Sequence, residues 1–137
     1  MIIREFNIED IVKDFDKFAN GKKETLAMAA SYACTSVVNE AKNKGSYTDR
    51  TSNLRSSIGF KVDIDGKEHK KEFDGKNSEG VEAGKQVARA NIDNKGVSMI
   101  IVAGMNYAGD VEMRGKSVLN KFLDEKKIWK EIRELTS

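Results

Sequence analysis

The sequence predicts an α+β domain: N-terminal helices pack on a small, mainly antiparallel sheet, and a C-terminal helix closes the fold. Three observations predict this class. Apolar residues recur at helical spacing near both ends of the chain, they alternate strictly over 58–64, and they form a branched run over 97–103. The 137 residues are enough for one domain with its own core. We therefore expect a single domain over 1–137.

The first predicted elements are two amphipathic helices. Apolar side chains recur at helical intervals over 8–18, with charged residues between them. After an Asn-Gly stop signal, an alanine-rich stripe extends over 26–41 and favours close contact with a sheet. A polar connector follows over 46–57, in which Thr51 is placed to cap a short turn that carries Leu54.

The middle of the chain predicts a hairpin. Alternation over 58–64 is typical of a half-buried strand, with Lys61 and Asp63 on the side away from the core. The Asp-Gly dipeptide at 65–66 predicts a tight turn. Residues 67–73 then pair back as a strand so polar that it should lie at an edge.

The charged segment 61–80 is predicted to project from the domain as a hairpin or loop. Its apolar content is too small for the core alone to order it. Two alternatives stand: it becomes ordered against a neighbouring subunit, or it is a mobile surface hairpin. On the first alternative, the candidate subunit interface consists of Lys67, Lys70, Lys71 and Phe73.

Later segments complete the predicted sheet and its cover. A helix is expected over 81–92, although Gly84 disfavours it, and 97–103 is apolar on both faces, as a central strand would be. Residues 107–112 either form one helical turn or are irregular. A final helix, or a pair of helical turns, extends from 118 to 135. The sheet would then hold three or four strands.

Composition and motifs exclude several function classes. With 24 basic and 22 acidic residues the net charge is only +2, which favours a mixed, solvated surface over strong polyanion binding. The sequence contains no phosphate-loop, dinucleotide or zinc-binding pattern. Cys34 sits among small apolar residues, far from a basic partner, and is interpreted as a buried hydrophobe. No catalytic, cofactor-binding or metal-binding residue is predicted.

The ends of the chain carry no targeting pattern. The first residues lack the charged and apolar regions of a secretory signal, so export is not expected. The longest apolar run, 99–103, is far shorter than the roughly 20 residues that cross a bilayer. We therefore expect a soluble protein with no membrane partner.

Two alternative functions depend on charged residues. The 114–137 stretch holds seven basic and four acidic residues, so a small basic nucleic-acid-binding protein could use Lys126, Lys127 and Lys130. The interleaved acids favour a solvated helix face instead. Asp110 and Glu112 could also hold magnesium in a small hydrolase or nuclease, but favourable negative charge near a helix start is the simpler explanation and is strongly preferred.

Two segments resemble a known family. Residues 47–59, Tyr-Thr-Asp-Arg-Thr-Ser-Asn-Leu-Arg-Ser-Ser-Ile-Gly, resemble the Thr-Gly-x-Leu-x-x-Ser-Ile segment of small tail-component proteins from tailed bacteriophages. Residues 107–112, Tyr-Ala-Gly-Asp-Val-Glu, are similar to that family's Tyr-Ala-x-x-Val-Glu-x-Gly segment. The resemblance covers about residues 10–125. Ser52 stands where the family usually has glycine, and Gly115 comes one place later than the usual glycine.

The resemblance implies a virion structural protein of the neck or tail-completion type. Such a subunit assembles with itself as a ring, with a hexamer expected, and acts without catalysis. Its other partners would be the head-side connector and the tail tube or tail terminator proteins, while genomic DNA only passes through. The protein would be made in the host bacterial cytoplasm and end in the virion.

The family motifs imply architectural roles for five residues. Thr51 caps a turn, and Leu54 and Ile58 attach that turn to the core. Tyr107 is expected to place its ring under the sheet, and Glu112 to receive a hydrogen bond or a basic partner.

Overall fold

The computed structural model describes five stretches of the chain: 1–7, 21–45, 53–90, 96–113 and 118–136. Within them, a four-stranded antiparallel sheet carries helices on both faces, so the predicted α+β class is confirmed. The predicted helix over 8–18 and the cap at Thr51 lie outside the described residues.

The sheet has the spatial order β1-β4-β2-β3. Its strands are β1 (Ile2–Asn7), β2 (Ile58–Ile64), β3 (Lys67–Glu72) and β4 (Val97–Ala103). The central place of β4 and the edge place of β3 are both as predicted. Strand β1, the other edge strand, was not predicted, because a short strand whose partner among the described residues is the distant β4 leaves a weak local pattern.

The described helices are five, together with one 3₁₀ turn. They are α1 (Gly21–Lys44), α2 (Asn53–Ser56), α3 (Ser78–Ala90), α4 (Ala108–Met113), the 3₁₀ turn Asn120–Phe122 and α5 (Glu125–Thr136). Of the two alternatives for 107–112, the helical turn is the one observed. Helix α3 begins earlier than predicted because Asn77 precedes it and accepts a hydrogen bond from Glu79 N at 3.1 Å.

The turn between β2 and β3 has the predicted tight geometry. Asp65 and Gly66 have φ values of 49° and 82°, the left-handed pair that a two-residue hairpin turn needs. The Asp65 carboxylate lies 3.0 Å from Lys23 Nζ and accepts a hydrogen bond from Gly96 N at 2.9 Å. The turn is thereby attached to the start of α1 and to the start of β4.

One face of the sheet, the α1 face, carries the larger core. Helices α1 and α5 contact each other, and α1 covers β2 and β4. The strands contribute fully buried apolar side chains to it: Ile58, Phe60, Val62, Met99, Ile101 and Ala103. Trp129 packs inward from α5, edge-on to Phe6 with ring centres 6.1 Å apart.

The opposite face, the α3 face, is covered by α3 at close range. The residues of α3 that are buried are small: Gly80, Gly84 and Ala88. A Cβ at Gly84 would come within 2.6 Å of Phe73 Cε1 and of Ser57 O. Glycine is needed here because the helix touches the sheet backbone, although intrinsic propensity alone disfavours glycine within a helix.

Within the described stretches, no helix combines the length and the apolar character needed to cross a membrane.

Candidate functional site

The two family-like segments meet at the same end of the sheet. Ser57 joins the first segment to the residues just before the second: its carbonyl accepts a hydrogen bond from Gly104 N at 3.2 Å, and its Oγ accepts one from Met105 N at 3.3 Å. Ser57 Oγ also donates to Leu54 O at 2.7 Å. The side chain is fully buried, so this buried hydroxyl holds α2 against the chain that leaves β4. No local pattern in the sequence marks Ser57 for this role.

Leu54 and Ile58 lie where the motif predicts. Their exposed fractions are 1% and 0%, and both belong to the core on the α1 face. The four-residue helix α2 is therefore attached to the sheet by its apolar side chains.

Glu112 is a hub for backbone donors. Its Oε1 accepts hydrogen bonds from the N–H groups of Val118, Leu119 and Asn120 at 3.2, 2.5 and 2.7 Å. The expectation that Glu112 receives a hydrogen bond is confirmed. Because Val118 and Leu119 are fully buried, this carboxylate sets how the chain enters the core before α5.

Tyr107 does not lie under the sheet. Its exposed fraction is 39%, so the expectation of a buried ring is wrong. The apolar anchor of this segment is instead the neighbouring Ala108, which is fully buried. A small side chain fits where helix α4 meets the core, and the larger ring stays at the surface.

Asn53 forms a second hub that the sequence analysis missed. Its Oδ1 accepts a hydrogen bond from Gly80 N, and its Nδ2 donates to Glu79 Oε2, both at 3.1 Å. Next to it, Ser56 Oγ accepts a hydrogen bond from Asn77 N at 3.0 Å. These contacts satisfy N–H groups at the start of α3, so the family-like segment also holds the helix that covers the α3 face.

A groove of about 440 Å³ opens between helix α1 and the edge strand β3 on the α1 face. We call it the α1–β3 groove. Tyr32 and Met28 form its apolar wall and are 64% and 57% exposed. The other lining residues are Ser31, Thr35, His69, Lys70 and Glu72. Helix α1 covers β2 and β4, which leaves this strip of β3 open.

The structure separates the four predicted interface residues. Lys67 and Lys70 are exposed on β3. Lys71 is half-buried and lies 3.7 Å from Glu68. Phe73 belongs to the core of the α3 face with an exposed fraction of 8%, so its assignment to a subunit interface is wrong. Its ring fills the space left by Gly59 and Gly84, which only the tertiary packing reveals.

The segment 61–80 divides into three parts. Its first residues are buried in β2, its middle forms the edge strand β3, and its end begins α3. Lys61 and Asp63 lie on the side away from the core of the α1 face, as predicted, but the expectation of a half-buried strand is wrong: their exposed fractions are 4% and 1%.

Lys61 and Asp63 form a buried ion pair on the α3 face. Lys61 Nζ lies 3.1 Å from Asp63 Oδ2, an ion-pair distance. Neither Asp63 Oδ2 nor the buried Ser98 Oγ has a hydrogen-bond partner among the described residues. Asp63 thus depends mainly on the charge of Lys61 to offset the cost of burying its carboxylate.

The C-terminal helix shows mixed contacts. Lys126, Lys127 and Lys130 are exposed, as the nucleic-acid alternative requires. Lys127, however, lies 3.6 Å from Glu40 of α1. Glu131 accepts a hydrogen bond from Ser36 Oγ at 3.2 Å. Acidic side chains thus lie among the basic side chains of this helix, as the sequence predicted.

Cys34 is fully buried in α1, as predicted. Burial raises the pKa of its thiol strongly, and the nearby Glu131 carboxylate raises it further. His69 lies on the exposed strand β3. No group of three or more His, Cys, Asp and Glu side chains in the described stretches is placed to hold a metal ion.

Comparison of the chain with protein-family models, with curated proteins and with solved structures finds no match.

Proposed function

We propose that this chain is a structural subunit of a tailed-phage virion, of the neck or tail-completion type. It acts by assembling into a ring, with a hexamer expected, and not by catalysis. The ring would join the head-side connector to the tail tube or tail terminator, and DNA would cross it without strong binding.

The observation that carries this proposal is the α1–β3 groove. Tyr32 and Met28 expose more than half of their surface beside a strand whose outer edge pairs with no strand among the described residues. Exposed apolar side chains next to an open edge are typical of a surface that another chain covers. The lysines of β3 keep such an edge soluble before assembly.

The contacts of the family-like segments also support a structural role. Ser57 joins the first segment to the residues just before the second, and Glu112 accepts three backbone hydrogen bonds. Asn53 holds the start of α3. These residues thus form hydrogen bonds with backbone groups of the same chain, as an architectural motif requires.

The first test is the size of the purified protein in solution. We expect light scattering to give a defined oligomer that negative-stain electron microscopy shows as a ring. Tyr32→Glu places a charge in the groove and should reduce the oligomer to a monomer with an unchanged circular-dichroism spectrum. The matched control is Leu135→Glu on α5, because Leu135 is 49% exposed and lies outside the groove. A monomer at every protein concentration would overturn the ring proposal.

The second test is the place of the protein in the particle. Immunogold microscopy of the phage that encodes the chain should label the head–tail junction. Label elsewhere on the tail would overturn the neck assignment and keep the virion class. Particles without label, with an antibody that binds the purified protein, would overturn both. Salt-dependent DNA binding lost on neutralising Lys126, Lys127 and Lys130 would then favour the nucleic-acid alternative.

A further inference from the structure

Both edges of the sheet are formed by strands with an open side. Within the described stretches, β1 pairs only with β4, and β3 pairs only with β2. The outer side of an edge strand presents backbone N–H and C=O groups that a further strand can pair with. Because all three pairings in the sheet are antiparallel, β1 and β3 run in opposite directions. The β1 edge of one copy can therefore add to the β3 edge of the next copy as an antiparallel strand.

The charged side chains of the two edges are divided between the faces of the sheet in a complementary way. On β1, Phe6 belongs to the core of the α1 face, so alternation places Arg4 on that face and Glu5 on the α3 face. On β3, Glu72 lies opposite a β2 residue of the same core, so Glu72 is on the α1 face and Lys71 on the α3 face. Each face thus carries a charge of one sign on β1 and of the other sign on β3.

One register brings these charges together on both faces at once. When Arg4 lies opposite Glu72, Glu5 lies opposite Lys71. Opposite charges that face each other stabilise a strand pair, and like charges destabilise it. Sliding β1 by two residues toward the start of β3 would place Arg4 opposite Lys70, and sliding it the other way would carry Arg4 past the end of β3. The charges therefore select the first register.

The side chains of this register are available for new contacts. Neither Glu5 nor Glu72 has an ion-pair partner within the described stretches. Arg4 is half-exposed and reaches Glu125 through Nη2 at 3.3 Å, and its guanidinium carries further N–H donors. Lys71 Nζ lies 3.7 Å from the carboxylate it pairs with on its own strand, which is beyond hydrogen-bond distance. Each contact between copies would thus supply a cation to a carboxylate that has no ion-pair partner among the described residues.

Contacts of an edge with its own copy are less favourable. Residues that face each other across two strands share a face of the sheet, so in its longest overlaps β1 would place Arg4 opposite Arg4 or Glu5 opposite Glu5. Strand β3 paired with itself can match Lys67 with Glu72, but Lys70 of both copies then meet near the centre. Pairing of unlike edges gives a head-to-tail contact, which closes a ring when the rotation between copies allows it.

We propose that β1 of one copy extends the sheet at β3 of the next copy, with Arg4 opposite Glu72 and Glu5 opposite Lys71. The sheet would then continue from copy to copy around the ring. On the α1 face, the α1–β3 groove leaves β3 uncovered, so helix α1 does not obstruct the added strand. This inference rests on the proposed ring function, and it names the two edges through which the ring forms.

The first test reverses one charge pair in the full chain. Glu5→Lys and Lys71→Glu should each raise the concentration at which the oligomer dissociates about tenfold. The double variant should return to within about twofold of the wild type, because the two sites meet between copies. Sedimentation velocity measures the dissociation, and circular dichroism shows that each variant is folded. The matched control is Lys67→Glu, which makes the same charge change on β3 outside the aligned residues and should shift the dissociation less than about twofold.

Two results of this test would overturn the contact. If the double variant dissociates more readily than either single variant, the two sites do not face each other. If Lys67→Glu weakens the oligomer and Glu72→Lys in the same chain restores it, β3 pairs with itself.

The second test is a cross-link in a chain that carries both Glu5→Cys and Lys71→Cys. Within one chain, β1 and β3 are three strand spacings apart, about 14 Å, which is too far for a disulfide. Between copies, the two Cβ atoms would lie about 5 Å apart. Mild oxidation, followed by alkylation of remaining thiols, should give a ladder of covalent multiples that ends at the size of the ring. Cys34 is fully buried and stays unreactive in the folded protein.

The single-cysteine variants are the controls, and each should remain a single chain on a denaturing gel. Covalent dimers of Lys71→Cys alone would mean a two-fold contact through β3 and would overturn the head-to-tail contact. A ring without a ladder would overturn the contact and leave the ring proposal standing. A wild-type protein that stays monomeric would overturn both.

Discussion

The two faces of the sheet bury similar strands in different ways. On the α1 face, the buried strand side chains are apolar from end to end, as Phe60, Val62 and Met99 illustrate. The α3 face is apolar only at one end, where Phe73 and the small residues of α3 meet it. At its other end, it buries an ion pair beside a serine.

This difference shows that alternation in a strand does not decide which side meets water. Strand β2 alternates as a half-buried strand would, yet it is buried over its whole length except at Ile64. An apolar contact that loses a partner leaves a cavity, whereas a buried charge that loses its partner remains a charge away from water. We therefore expect the two faces to respond differently to substitution.

The largest effect is expected from Lys61→Met. The substitution leaves Asp63 buried without its counter-charge, which costs about 3–5 kcal/mol of unfolding free energy. Urea unfolding followed by circular dichroism measures it. The double variant Lys61→Met with Asp63→Leu removes both charges and should recover most of the loss. If the single variant loses less than about 1 kcal/mol, the pair is not desolvated and the contrast between the faces disappears.

On the α1 face, Leu54→Ala should cost about 2–5 kcal/mol, because it opens a cavity under α2. The same urea experiment measures it. Leu135→Ala is the matched control, since a half-exposed leucine of α5 should change the stability by at most about 0.5 kcal/mol. A Leu54→Ala loss as small as that of the control would show that α2 is not anchored by this side chain.

At the apolar end of the α3 face, Gly84→Ala should destabilise by about 1–3 kcal/mol. The new Cβ would meet Ser57 O and the Phe73 ring at 2.6 Å, which outweighs the gain in helix propensity. Thermal unfolding measures the change. In a Phe73→Leu background, the added methyl should cost less, because part of the clash is gone. An equal cost in both backgrounds would mean that the ring is not the obstacle.

At the rim of the α1 face, Glu112→Gln should cost about 1 kcal/mol, since the amide oxygen still accepts hydrogen bonds but has lost its charge. Hydrogen exchange of the amides of Leu119 and Asn120, which donate to this carboxylate, should become faster. Exchange that is unchanged at these amides would contradict the role of Glu112 as a hub. Amides in the central strand β4 provide the internal reference.

The smallest effect concerns Asp65 in the hairpin turn. The hydrogen bond from Lys23, and then that from Gly96 N, lower the pKa of this carboxyl below its ordinary value of 3.8. Its contribution to stability is therefore present above pH 3.8 and is lost as the pH falls through the lower folded-state value.

The matched variant is Asp65→Asn, because asparagine tolerates the left-handed backbone of this turn. Urea unfolding should show a wild-type advantage at pH 7 that shrinks below pH 3.8, and Lys23→Met should reduce that dependence. An advantage that is the same at pH 7 and in acid would show that the carboxylate does not carry it.

Local patterns were enough to predict most of the sheet. Three local features predicted it: the alternation of β2, the Asp-Gly turn and the branched residues of β4. Each depends only on adjacent residues and on the alternation of side chains between the two faces of a strand, which the sequence displays directly. Strand β1 was missed because its only described partner is β4, so pairing and not local pattern defines it.

The site was predicted in part. Leu54, Ile58 and Glu112 lie as the family-like segments imply, because a buried anchor and a backbone acceptor depend on short-range geometry. Tyr107 was expected to be buried and is exposed, whereas Phe73 was expected at a subunit interface and is buried. Their environments depend on how closely Ala108 and Gly84 bring separate elements together, and a sequence does not display that distance.

The sequence by itself determined the α+β class, the strands β2, β3 and β4, and the edge position of β3, since hydrophobic parity and turn chemistry are local properties. Only the tertiary structure decided that Lys61 and Asp63 are buried, that Phe73 belongs to the core, and that α1 leaves a groove beside β3. The physical reason is that burial depends on what lies across the sheet. A side chain of a strand can point away from one core and still be covered by a helix on the other face.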